Sequence, residues 1–269
     1  MALLDAAARE KKMPLWQAFG NRLRTLRTDM TVVLGSLPEA EAATRDILRR
    51  GIRSFKVKIG RDFDLDLQRV AAIAKIIRRC PLYLDANQGF TAVQTLKFLK
   101  ELVKLKIKPA LIEQPVPKGD WEGLKKVTRE GGVLVCADES AGSLEDAKRI
   151  IREKAAGAIN IKFTKTGILE AYEIARLSKR HGMKLMIGTM METPLAVTAA
   201  AHLAAGLGGF DFIDLDAPFF MAEAATRGNF VTRAGVYDLG KVRAGVGVTP
   251  FSTPTRCDGS HLAGVAGSP

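Results

Sequence analysis

The sequence predicts a TIM-type α/β barrel of the modified (β/α)7β kind, and three observations carry that prediction. Short β-branched runs alternate with amphipathic stretches along the chain, eight such runs enclose seven helical stretches, and charged residues recur at the ends of the runs with a nearly constant period. In order, the strands are "MTVVLG", "SFKVKIG", "LYLDANQG", "ALIEQPV", "VLVCADES", "AINIKFTK", "KLMIGTMMET" and "FDFIDLDAP". Between them lie segments such as "LQRVAAIAKIIRR", "AVQTLKFLKELVKL" and "EAYEIARLSKRH", with apolar residues at helical spacing. Lys58 and Asp85 are separated by 27 residues, Asp85 and Glu113 by 28, Glu113 and Asp138 by 25, and Asp138 and Lys162 by 24. From Lys162 to Asp214 is 52 residues, two further units with the seventh strand between them.

Composition narrows the function classes. A chain of 269 residues that is 47% hydrophobic can bury one large core, as barrels of this length do. The formal charge of +12 is spread along helical stretches such as "RDILRRG" and "AKIIRRC" with no aromatic-interleaved basic patch, so it reads as a solvated surface rather than a nucleic-acid site. Cys80, Cys136 and Cys257 have neither a disulfide nor a metal spacing, which suits a reducing cytoplasm. The opening "MALLDAAAREKK" is an amphipathic helix rather than a signal peptide, and the Ala/Gly-rich run 195–210 is too short and too weakly apolar to span a bilayer. The expected partner is therefore a small molecule, with no nucleic acid and no membrane, and self-association into a homo-oligomer is left open.

The strand ends supply the chemistry, because barrel enzymes assemble their sites at the C-terminal ends of the strands. Asp85, Glu113 and Asp138 end the third, fourth and fifth strands, so three carboxylates converge on one part of the rim. Alone, each could be a helix cap or an ion-pair partner; together they form an all-oxygen site of the kind Mg²⁺ takes. Lys58 ends the second strand and Lys162 lies in the sixth, so the two amines flank that ion from opposite sides, each able to remove or return an α-proton on one face of a carbon acid. Lys56, two residues before Lys58 and on the same face, is expected to lower the pKa of Lys58 and to bond a substrate carboxylate. Lys165 is expected to be a surface lysine, and His181, His202 and His261 are given no chemical role.

"FKVKIG", "LYLDANQGF", "LIEQPV", "VCADES" and "INIKFTKTG" resemble, in order and spacing, the strands of the enolase superfamily, specifically its muconate-lactonising subgroup, over roughly residues 1–247. The resemblance implies that Lys58 and Lys162 are the acid/base pair, that Asp85, Glu113 and Asp138 hold one Mg²⁺ per subunit, and that Lys56 contacts the substrate carboxylate. Enolase-superfamily sites are a known pattern of a Lys or His base with Mg²⁺ stabilising an enediolate.

Within the subgroup, the eighth strand discriminates between reactions. "FIDLDAPF" puts Asp214 and Asp216 on one face, and in dipeptide epimerases an Asp-x-Asp at this place binds the substrate's α-ammonium; an Asx turn or helix cap is the structural alternative. The resemblance therefore implies an epimerase acting on a dipeptide with a free amino terminus. By the same resemblance Thr31, Thr189 and Met191 line the substrate pocket. An N-acylamino acid racemase, an o-succinylbenzoate synthase or a muconate cycloisomerase would keep the metal and lysine set without needing Asp214 and Asp216.

The family also carries an N-terminal α+β capping domain, and this chain begins at about its last helix, 1–20. The expected division is then a remnant helix at 1–20, a barrel at 21–220, a segment at 221–247 that would return to the cap and here be loosely held, and a Gly/Ser/Thr/Pro-rich, disordered tail at 248–269. A truncated, non-catalytic barrel remnant is the alternative that the missing cap raises.

Overall fold

The computed structural model describes residues 1–221, 226–228 and 230–251. Eight parallel strands, Met30–Val32, Phe55–Lys58, Leu82–Asp85, Leu111–Glu113, Leu134–Ala137, Ala158–Ile161, Lys184–Gly188 and Phe212–Asp214, pair in sequence order as one sheet. The seam between the eighth and first strands is bridged by Asp29 N–H to Ile213 O at 2.9 Å and by Leu215 N–H to Thr28 Oγ1 at 2.8 Å. Seven helices, from Leu37–Arg50 to Pro194–Leu207, separate the strands. This is the (β/α)7β barrel that the sequence predicts.

Local chemistry sets the helix starts. Ser36 with Glu39, and Thr91 with Gln94, form capping boxes, while Asp62, Asp120, Ser143 and Thr193 accept backbone N–H groups at four more N-termini. Each cap ends a loop leaving the C-terminal rim, so strand ends and helix starts lie at the same face. The core lies between sheet and helices: Phe55, Val57, Leu84, Ile112, Ile159 and Ile187 face outward from the strands and are almost wholly buried. Among the described residues no helix is long and apolar enough to cross a membrane.

The segment before and after the barrel differs from the expectation of a loose return strand. Val236–Tyr237 pairs antiparallel with Leu26–Arg27, and Tyr237 Oη donates to Leu215 O at 2.6 Å. Buried His202 accepts from Trp16 N–H at Nδ1 (3.0 Å) and meets Val246 O at Nε2 (3.0 Å), so it ties both terminal segments to the last helix. Burial pushes its pKa down to about 4, which keeps it neutral, with the Nε2–H tautomer matching both partners. The two segments approach closely there: the carbonyl of Trp16 leaves no room for a Cβ on Gly206. Apolar Leu239, Val242, Val246 and Val248 give this stretch a buried face of its own. Thr249–Pro250 pairs with Thr226–Arg227, and the rest of the expected tail, 252–269 with Cys257 and His261, lies outside the described residues.

Candidate active site

Inside the barrel, alternation along each strand stacks side chains in layers. The lowest layer is apolar: Tyr83, Leu111, Cys136, Ala158 and Met186 pack together, and Phe212 meets Tyr83 edge to face with ring centroids 5.3 Å apart. Two residues further along the same strands every side chain changes character, giving Asp85, Glu113, Asp138, Asn160, Gly188 and Asp214. Gly188 is required by its neighbour, because a Cβ there would meet Asn160 Oδ1 at 2.6 Å. The space it leaves lets Asn160 Nδ2 donate to Glu113 Oε1 at 2.8 Å. Above this polar layer lies a cavity of about 390 Å³ whose wall includes Thr31, Lys56, Lys58, Lys162, Asp214 and Asp216.

The ammonium and carboxyl groups are interleaved. Lys56, the register partner of Tyr83, reaches up into the polar layer and places Nζ 2.7 Å from Asp214 Oδ2, 2.7 Å from Glu113 Oε2 and 2.9 Å from Asp85 Oδ2. Lys58 Nζ donates to Asp85 Oδ2 and Asn87 Oδ1, both at 2.7 Å. Lys162 Nζ donates to Asp138 Oδ2 at 2.6 Å. Lys165 Nζ takes the other carboxylate oxygen of Asp138 at 2.7 Å, together with the carbonyls of Asp138 and Asn160. Gln114, in a left-handed conformation with φ 32, accepts Asp138 N–H and Ser140 N–H on Oε1 and so fixes the loop that carries Asp138.

Burial and charge pull against each other here. Desolvation raises the Asp138 carboxyl, but Lys165 and Lys162 outweigh it and hold Asp138 well below the usual carboxylate range; Asp85 is lowered in the same way by Lys56 and Lys58. Burial lowers Lys56 and Lys162, yet the surrounding carboxylates win and raise both ammoniums. Glu113 goes the other way: burial, then Asp85, push it up to about 8 against the pull of Lys56. Asp216 is raised to about 6 by burial and by Asp214, opposed by its hydrogen bond from Thr31 N–H at 2.7 Å.

Every residue singled out in the sequence lies at this end of the barrel. Thr31, Lys56, Lys58, Lys162, Thr189, Met191, Asp214 and Asp216 border the cavity, with Met191 on its exposed rim, while Asp85, Glu113 and Asp138 are buried and absent from its lining. Lys56, expected to act on Lys58 and on a substrate carboxylate, is engaged here by Asp85, Glu113 and Asp214. Lys165 is not the surface lysine expected, because the turn after Lys162 breaks at Gly167 (φ 70) and folds its ammonium back onto Asp138. Four polar residues not singled out in the sequence also belong to the site: Asp29, Asn87, Gln114 and Asn160. The signal for two of them was available, since the alternation that pairs Lys56 with Lys58 also pairs Asp29 with Thr31 and Asn160 with Lys162.

Among the described residues two carboxyl groupings have the chemistry to hold a cation. Asp29, Asp214 and Asp216, all buried, each offer an oxygen within 4.8 Å of the others. Asp85, Glu113 and Asp138 end adjacent strands, Asp85 and Glu113 in direct register, with the Lys56 ammonium close to two of the three. The second set fits a hard divalent ion by its all-oxygen donors; among the described residues Glu113 Oε2 is buried with no hydrogen bond, its one charge contact being Lys56 Nζ at 2.7 Å. Across the site, Asp29, Asp85, Glu113, Asp138, Asp214 and Asp216 face Lys56, Lys58, Lys162 and Lys165. Fully ionised, these groups leave an excess of two negative charges, which one divalent cation or two protons would offset.

The chain matches the enolase C-terminal domain-like family over residues 39–252. It is 48% identical to the hydrophobic dipeptide epimerase of Citrifermentans bemidjiense over 259 residues, covering 93% of this chain and 70% of that protein. It is 44% identical to the aromatic dipeptide epimerase of Herpetosiphon aurantiacus, covering 92% of this chain and 70% of that protein. The crystal structure of a dipeptide epimerase from Enterococcus faecalis V583, complexed with Mg and the dipeptide L-Leu-L-Tyr, superposes with a TM-score of 0.86 at 34% identity, covering 92% of this chain and 70% of that one.

Proposed function

The chain belongs to the enolase C-terminal domain-like family, and we propose that it epimerises the second residue of a dipeptide, one lysine removing the α-proton and a second returning a proton to the opposite face. The observation that carries this proposal is the cavity itself. Lys58 enters it from the second strand and Lys162 from the sixth, four strands away around an eight-stranded ring, so a carbon between them presents one face to each amine. Asp214 and Asp216 lie at the same cavity from the eighth strand and carry the charge that an α-ammonium needs. A substrate with its carboxylate over the buried acids and its ammonium at the Asp pair has its acidic α-carbon between the lysines.

One lysine takes the α-proton while the other, still an ammonium, returns a proton to the opposite face, and reversal serves the other epimer. Mg²⁺ is the ion we assign to Asp85, Glu113 and Asp138, where it would supply positive charge to the substrate carboxylate as the α-carbon loses its proton. Thr31 holds Asp216 through its backbone N–H, and Thr189 and Met191 sit where the second side chain would lie. Val33, Met190, Met191 and Phe220 make that part of the wall apolar, which together with the hydrophobic and aromatic dipeptide epimerases among its relatives points to an apolar second residue. Cys80 and Cys136 are free thiols, in keeping with a cytoplasmic location.

Calorimetry on the Mg²⁺-loaded protein tests the substrate class. L-Ala-L-Leu should bind about ten- to a hundredfold more tightly than N-acetyl-L-Ala-L-Leu, because acetylation removes a charge-assisted contact to Asp214 and Asp216. Asp214→Asn should shrink that ratio. Equal affinities, or tighter binding of the acetylated dipeptide, would transfer the chain to the N-acylamino acid racemase alternative.

A further inference from the structure

The proposed mechanism uses Asp214 and Asp216 and leaves Asp29 without a task. Asp29 precedes the first strand by one residue and Thr31 by two, so its side chain enters the barrel on the side of Thr31, one level deeper. It is wholly buried. One of its oxygens lies within 4.8 Å of oxygens of both Asp214 and Asp216. Those two have donors of their own, Lys56 Nζ on Asp214 Oδ2 at 2.7 Å and Thr31 N–H on Asp216 Oδ2 at 2.7 Å. Among the described residues neither oxygen of Asp29 has a hydrogen-bond partner.

An ionised carboxylate in that place would lack both water and a donor while facing two further carboxylates, a combination that costs several kcal/mol or more. A proton removes the charge and converts one oxygen into a donor, and the oxygens of Asp214 and Asp216 within 4.8 Å are the acceptors on offer. Burial, Asp214, Asp216 and Glu113 favour the protonated form of Asp29 and Lys56 opposes it; the result is a carboxyl raised well above its ordinary range. Tyr83 is a further titratable neighbour, and burial and the proximity of Asp29 raise it to about 12, so it stays neutral.

We propose that Asp29 is a positioning residue of the amine subsite: as the neutral carboxylic acid it donates a hydrogen bond into the Asp214–Asp216 pair and fixes how that pair faces the substrate's ammonium. This rests on the dipeptide assignment above. It also leaves the subsite two carboxylates, one answered by Lys56 and one free for the incoming ammonium, whereas three would bind a second cation in its place.

Two measurements on the Mg²⁺-loaded protein at neutral pH test it. In the infrared difference spectrum between the parent and Asp29→Asn, the carbonyl stretch of a protonated carboxylic acid should be present in the parent and missing in the variant. In calorimetry, Asp29→Asn should bind L-Ala-L-Leu within about threefold of the parent, since its amide donates the same bond, whereas Asp29→Leu, similar in size without a donor, should weaken it about tenfold or more. The weak binding of the acetylated dipeptide should be unchanged in both. The proposal is overturned if Asp29→Asn removes no acid band, if it binds as poorly as Asp29→Leu, or if Asp29→Leu binds like the parent. Should Asp29→Leu not fold, the infrared result and Asp29→Asn decide alone. Equal affinity of the parent for free and acetylated dipeptide would overturn the substrate assignment instead, while the infrared band still reports on Asp29.

Discussion

Lys162→Ala is expected to abolish interconversion of the two dipeptide epimers while one of them continues to exchange its α-proton with D₂O. The reason is positional. Lys162 stands on the sixth-strand side of the cavity and Lys58 on the second-strand side, so removing one amine leaves the other able to take and return a proton on its own face. A positioned acid or base contributes about 10²- to 10⁴-fold, and interconversion should fall by at least that factor. Lys58→Ala should show the mirror pattern, exchanging the other epimer. The measurement is proton NMR of each separate epimer in D₂O with each variant. Interconversion at the parent rate in either variant contradicts the two-lysine assignment.

The second large effect is on stability. A cation that binds the folded chain alone stabilises it by about 2.7 kcal/mol at a hundredfold excess over its Kd. For a chain of this size that corresponds to a rise in Tm of roughly 5 °C. Mg²⁺ should produce this rise in the parent and not in Asp138→Asn, which removes a ligand charge and leaves Lys162 and Lys165 without their shared counter-ion. The variant should melt lower even without the ion, so the quantity to compare is the Mg²⁺-dependent difference. Asp214→Asn should keep the full shift. No shift in the parent at millimolar Mg²⁺ contradicts the site; a shift kept in Asp138→Asn and lost in Asp29→Asn would move the ion to the Asp29, Asp214 and Asp216 cluster.

Much of this site is written in the sequence because a barrel converts period into position. Lys58, Asp85, Glu113, Asp138 and Lys162 recur at intervals of one βα unit, and the parallel register carries each to the same rim. The apolar runs before them mark the strands, so a charged residue two steps past an inward apolar one is read as the next layer up. Asp29 escaped because it precedes its strand rather than ending one, and only its spacing from Thr31 links it to the site. Lys165 escaped for a different reason: a residue three past a strand end belongs by periodicity to the helix surface, and the break at Gly167 that turns it inward is a backbone event with a single glycine as its trace. The pull of Lys56 toward three carboxylates at once depends on distances between strands, which spacing along one strand does not carry. The docking of the C-terminal segment depends likewise on His202, whose two ring nitrogens join segments far apart in the chain.

Epimerisation requires that this chain remove and replace an α-proton. Parent protein with Mg²⁺ and L-Ala-L-Leu in D₂O, followed by proton NMR, is the direct measurement. The signal of the leucine α-proton should disappear, the signals of L-Ala-D-Leu should grow in, and both epimers should end deuterated at that carbon and at no other. Retention of the α-proton with no second epimer, in protein that Mg²⁺ stabilises and that binds the dipeptide, would contradict it.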